Sequence, residues 1–158
     1  MKSVYYTTIL MLTALLAGCA NPGGVQVNTT TADALVAKLG KPSDVRPRPG
    51  GGENWDYAYG PQGVQTWRYG IDGQRVVRSA DQLLTVEHLH KVMAGVHKEA
   101  DVLNILGRPA RINYLTYENA WEWRVHLDPT PGYFVVTFGF DGVAKGTMIQ
   151  MDMTQSVP

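Results

Sequence analysis

The stretch "VAKLGKPS", Val36–Ser43, is a helix end written in residues, and "LNILGRPA", Leu103–Ala110, writes it again. In each, Leu is followed by Gly, which takes the left-handed cap conformation, and then by a Pro that forbids continuation. Leu39 and Leu106 stand 67 residues apart. Upstream of the first, Thr30-x-x-Asp33 forms a capping-box-like start, and Leu35, Val36 and Leu39 fall at helical spacing. Upstream of the second, Val102, Leu103, Ile105 and Leu106 predict a core-facing stripe. A further helix precedes it: Thr85 caps "VEHLHKVM", Leu89, Val92 and Met93 are apolar, and Gly95 ends it.

After each helix end the period changes from helical to two. Trp55, Tyr57 and Tyr59 alternate with Asp56 and Ala58; "GPQG" turns, "VQTWRY" returns, Asp72-Gly73 turns, and "QRVVRS" is a third strand. In the second copy Trp121, Trp123, Val125 and Leu127 alternate with Glu122, Arg124 and His126. "DPTPG" turns, "YFVVTFGF" returns, Asp141-Gly142 turns, and "VAKGTMIQM" closes. The Asp-Gly pairs lie 69 residues apart, so one order of elements recurs at nearly one spacing, an internal duplication. The expected fold is α+β: two tandem copies of a helix and three-stranded antiparallel sheet, residues 30–84 and 85–153, with a tail at 154–158. A unit of this size is marginal alone, so the copies should pack, sheets side by side or face to edge. "RPRPGGGEN", Arg46–Asn54, reads as a mobile loop.

The chain opens on a targeting segment, 1–18: Lys2 supplies the positive region, and "VYYTTILMLTALL" is apolar but too short to span a bilayer. Leu16-Ala17-Gly18-Cys19 resembles the lipobox of bacterial lipoproteins. That resemblance implies cleavage before Cys19, diacylglycerol on its thiol and an acyl chain such as palmitate on its amino group, an anchor stable against dissociation. Cys19 is the sole cysteine, so no disulfide forms within one chain. Ala20, standing where inner-membrane retention signals have Asp, implies the outer membrane, periplasmic face. Residues 19–29, with Pro22, Gly23 and Gly24, read as a tether. Without Lys2 the 14 basic side chains fall to 13 against 14 acidic ones, a net charge of about −1. That balance argues against nucleic acid and offers no field for a charged substrate.

Catalytic patterns are not evident. His88 and His90 point to different helix faces, and with His97 and His126 they read as solvated surface residues rather than metal ligands. Asp81, Glu87, Glu99 and Asp101 fall around helix starts, where acidic groups suit the dipole. Ser43, Ser79 and Ser156 sit in no nucleophile motif, and glycines 50–52 precede no G-K-[ST]. The expectation is no catalytic residue, no metal, no cofactor and no small-molecule substrate. Aromatics on the strands should largely form a buried face beneath the helices. Returning strands carry bulk on both faces, so some side chains should meet a partner. Tyr59, Arg68, Tyr69 and Arg124 are of the interface-anchor type.

The doubled pattern of helix, L-G-x-P, W-x-[YW] and [FI]-D-G behind a lipobox resembles the SmpA/OmlA (BamE) outer-membrane lipoproteins. "GPQGVQTW", "DQLLT", "LGRPAR" and "WEWR" resemble landmarks of the two-copy, beta-proteobacterial type. The resemblance implies helices on one face of a three-stranded sheet, and the tandem layout is similar to the secreted β-lactamase inhibitor protein. It also implies a non-enzymatic envelope protein that docks on a protein partner, in envelope maintenance or β-barrel protein assembly. The alternative is an inhibitor of a periplasmic hydrolase, with the Arg46–Asn54 loop entering an active site. The chain departs from the single-copy assembly factor in having two copies and a Gly95–Pro109 spacing one residue longer.

Overall fold

The computed structural model describes residues 21–60, 63–127 and 130–151. The expected signal segment, Cys19, Ala20, the tail at 154–158, and residues 61–62 and 128–129 of two expected turns lie outside the described residues.

The first unit runs α1 (Ala32–Leu39), β1 (Asp44–Pro47), β2 (Glu53–Tyr59), β3 (Gln65–Ile71), β4 (Val77–Gln82). The second runs α2 (Val86–Lys91), α3 (Glu99–Leu106), β5 (Arg111–Tyr114), β6 (Asn119–Leu127), β7 (Thr130–Phe138), β8 (Ala144–Met151). The strands form two antiparallel meanders, ordered β1-β2-β3-β4 and β5-β6-β7-β8. The class is α+β in two units, as the doubled period predicts, but each sheet has four strands and not three. The additional strands, β1 and β5, are four-residue edges whose Asp-Val-Arg-Pro and Arg-Ile-Asn-Tyr carry little apolar alternation. β1 and β2 also absorb the two ends of the expected loop, for Arg46 pairs with Asn54 across a hairpin closed by Arg48 and Gly52.

Both helices end where the sequence predicts, with the Gly40 and Gly107 amides donating to the carbonyls of Val36 and Leu103. The glycines, however, stand at φ 81°, ψ −164° and φ 74°, ψ −169°, an extended positive-φ conformation open to glycine and not the left-handed helical one. Thr85 caps α2, and α1 is capped by Thr31 rather than Thr30, whose hydroxyl instead accepts from Gln26. α2 stops at Lys91, short of Gly95, and Met93 is exposed. Residues 21–29 do not hang free along their length. Pro22 and Val25 are buried, the Lys38 ammonium donates to the carbonyls of Gly23 and Gly24, and Asn28 donates to Val77. The outer edge of β4 needs backbone partners, and this segment supplies them.

The duplication holds hydrogen bond by hydrogen bond, at a register of 67 outside one strand. Asn28 to Val77, Val77 to Thr30 and Ala32 to Arg75 recur as Gly95 to Ala144, Ala144 to His97 and Glu99 to Gly142. Ser43 to Asp56 recurs as Ala110 to Glu122, because β6 stands 66 residues after β2. The Asp-Gly pairs, 69 apart, therefore occupy different places. Arg75 donates to Asp72 in one turn and Gly142 to Gly139 in the other, so Gly139 stands where Asp72 does. Arg75, at φ 61°, takes the left-handed place that Gly142 fills at φ 70°.

Each unit has its own core. Leu35 of α1 meets Trp55, Tyr57, Tyr69, Ile71 and Val77 on one face of the first sheet. Leu89, Val102 and Leu106 of α2 and α3 meet Trp121, Trp123, Val125, Phe134 and Phe138 on the second. The sheets do not merge at an edge. The face of the first sheet that α1 leaves open receives the C-terminal turn of α3.

Candidate functional site

Alternation along β2 sends Trp55 and Tyr57 towards α1, which leaves Asp56 for the opposite face, where solvent is expected. Asp56 is 1% exposed. From the facing position on β3, Arg68 grips it with two parallel bonds, Nε to Oδ1 at 2.7 Å and Nη2 to Oδ2 at 2.8 Å. From β1, Arg46 adds Nη2 to Oδ2 at 2.8 Å and holds Asp44 at 2.8 Å. The two arginines then reach across to the second unit. Arg68 donates to the carbonyls of Leu103 (3.2 Å) and Asn104, and Arg46 donates to the Asn104 side chain (3.3 Å). The last carbonyls of a helix carry partial negative charge, so one guanidinium satisfies a carboxylate and a helix end together. Gly107 lies against this pair; a Cβ there would stand 3.1 Å from both Asp56 Oδ2 and Thr66 Cγ2.

Beside the joint opens a cleft of about 380 Å³, lined among others by Ser43, Thr66, Arg108, Trp123 and Arg124. Trp123 donates its indole N–H to the Gly107 carbonyl at 3.0 Å, as the Tyr57 hydroxyl does to Gly40 at 3.2 Å in the first copy. The joint occurs once. At the place of Arg68 the second unit has Val135, opposite Glu122, and Glu122 is met by Asn113 (2.6 Å) and Arg111 (3.6 Å).

The four residues expected to bind a partner do not share a surface. Arg68 is in the joint. Tyr69, its neighbour on β3, points the other way into the α1 core, fully buried, its hydroxyl 3.5 Å from the Pro22 carbonyl. Arg124 is buried, its guanidinium 5.1 Å above the Tyr133 ring and donating to the Tyr133 hydroxyl. Tyr59 alone of the four is exposed, at the end of β2. Burial pushes the hydroxyls of Tyr57 and Tyr69 up to about 12, with the phenol of Tyr57 and that of Tyr59 adding to the effect at Tyr69. His88 and His97 are taken up in local bonds, to the Thr85 hydroxyl and from the Met93 amide. Among the described residues no group of three His, Cys, Asp or Glu gathers.

Sequence reasoning missed the β5–β6 hairpin. Its tip is closed by Leu115 N–H to the Glu118 carbonyl and carries Tyr114 (78% exposed), Leu115 and Tyr117 (82%). The signal was present: "YLTY" places three large apolar side chains in four residues, at a place where neither helix nor strand was expected.

No family model and no curated protein matches the chain. Among solved structures it is similar to a DUF4309 family protein from Bacillus subtilis, at 16% identity over 82% of this chain and 83% of that one, with a TM-score of 0.33. It is also similar to an extracellular protein containing an SCP domain from Bacillus anthracis, at 18% identity over 77% of this chain and 43% of that one, TM-score 0.29. At these scores neither likeness carries an argument.

Proposed function

We propose that the chain is a non-enzymatic module, lipid-anchored on the periplasmic face of the outer membrane. It docks on an envelope protein, in envelope maintenance or β-barrel protein assembly. The observation that carries the docking part is the β5–β6 tip. Tyr114, Leu115 and Tyr117 stand exposed together on a hairpin, and exposed aromatic groups of this kind are costly unless a partner covers them. The corresponding hairpin of the first unit has Arg48, Gly50 and Gly51 at its tip. The doubled tip has thus diverged into one polar and one aromatic copy.

The buried charges support the same reading from the other side. Asp56, Arg46 and Arg68 are spent on holding the units together rather than left open to a substrate. The anchor at Cys19 would confine the tip to one surface and raise its effective concentration there. Kinship with the SmpA/OmlA lipoproteins, and a tandem layout like that of the β-lactamase inhibitor protein, belong to this proposal; a unit of helix packed on antiparallel sheet, present twice, supports them.

The test is co-purification from mildly crosslinked, detergent-solubilised membranes with a C-terminal tag. Three chains are compared: the wild type, Cys19→Ala, and the double variant Tyr114→Ser/Tyr117→Ser. Recovery of outer-membrane components by the wild type, lost in both variants, is expected. Recovery of one soluble enzyme by wild type and Cys19→Ala alike would replace docking with inhibition of a periplasmic hydrolase.

A further inference from the structure

Sheet edges need protection, because a row of unpaired amides and carbonyls will pair with any strand that fits. Three of the four edges here are guarded. β1 and β5 are four residues long, β1 with Asp44, Arg46 and Pro47, β5 with Arg111. β4 carries Arg78 and Asp81, and its first residue is paired with the 28–30 segment. β8 is different. It is eight residues long, its outer edge pairs at Ala144 with Gly95 and His97, and among the described residues no strand lies beyond it.

From Gly146 to Met151 it has no charge and no proline. Met148 is 57% exposed and Ile149 53%, on opposite faces of the strand. The register of 67 sharpens the contrast. The places of Met148 and Ile149 are held in β4 by Asp81 and Gln82. The two copies have one backbone, so the exchange of an acid and an amide for two exposed apolar side chains is not imposed by the fold.

We propose that β8 is a homodimerisation edge. Two copies of this chain pair β8 with β8, antiparallel about a two-fold axis, and join the second sheets into one of eight strands. The two-fold relation explains why this occupant suits the edge. A residue on the axis meets itself, and its neighbours meet in mirrored order, so any charge near the axis would meet its like. The uncharged run 146–151 removes that repulsion, and within it every opposition is between uncharged side chains. The proposal is independent of the anchor and of the β5–β6 tip.

The test uses the full chain carrying Cys19→Ala, so that an introduced thiol is the sole one. Cysteine is placed at each position from 147 to 151 in turn, and at Tyr114 as an exposed control off the edge. Oxidation is read on a non-reducing gel. Paired Cα atoms of an antiparallel ladder come within disulfide reach, about 4.5–5.5 Å apart. The expected result is a dimer band peaking at the one or two positions nearest the axis, about tenfold above Tyr114→Cys. Sedimentation should show the dimer in the Cys19→Ala parent and a monomer in Met148→Lys, whose far-ultraviolet circular dichroism stays that of the folded parent. Equal crosslinking at all positions, a monomeric parent at tens of micromolar, or an adduct of another mass marking a foreign strand on the edge would overturn it.

Discussion

Gly40 and Gly107 are one residue position written twice, at φ 81° and φ 74°, and they differ only in what surrounds them. A Cβ at Gly40 meets nothing within 4 Å, whereas one at Gly107 meets Asp56, Thr66 and Leu83. Gly40→Ala should therefore cost only the backbone strain of positive φ with ψ near 180°, about 2 kcal/mol. Gly107→Ala should cost about 3 kcal/mol or more, because crowding of the buried carboxylate adds to the same backbone strain. Urea midpoints of the pair measure the difference. Tyr57 and Tyr69 give the pH dependence. Their folded pKa values of about 12 lie above the ordinary 10, so between those limits the unfolded chain has lost protons that the folded chain keeps. Stability should fall as pH rises from about 10 to 12. Tyr57→Phe and Tyr69→Phe should each flatten that decline in midpoints followed across the alkaline range.

At the scale of elements, the helix ends were legible because Gly and Pro act through local sterics alone. β2, β3, β6 and β7 were legible because aromatic side chains alternate along them. β1 and β5 were not, since an edge strand of four residues with charge or proline has no period to read. The offset between Asp72-Gly73 and Asp141-Gly142 had the same origin: a four-residue turn accepts Asp and Gly at more than one place. The end of α3 is where an element acts beyond its unit. Arg68→Met would leave a buried carboxylate with Arg46 alone and strip the carbonyls of Leu103 and Asn104, at a cost of about 3 kcal/mol. The double variant Asp56→Leu/Arg68→Met removes both charges, and should recover most of that loss. A double-mutant cycle on denaturation free energies checks the pair, with recovery absent if Arg68 acts by packing only.

For the whole molecule, the joint decides whether two marginal units behave as one. Units of about 60 residues bury little surface each, so coupling is what makes unfolding cooperative. Wild-type chain should unfold in one transition, coincident by tryptophan fluorescence and far-ultraviolet circular dichroism. Arg68→Met should separate the two probes, the first unit melting apart from the second. A single coincident transition in the variant would assign the coupling to the cleft walls instead.

The duplication, the helix stops, the α+β class and the aromatic faces under the helices are written in the sequence, because each rests on contacts between near neighbours or on a period along the chain. What the sequence left to tertiary structure is the fate of the other face. Alternation distinguishes two sides of a strand, but it does not say what covers the second one. Asp56 alternates with the aromatics of β2 and Arg68 read as a partner contact, and they became the joint only when a helix from the other copy came down on them. Tyr69 read as a contact residue and became core, since its one-residue step from Arg68 put it beneath α1. Side-chain chemistry was fixed locally, while accessibility was fixed by how the two copies pack.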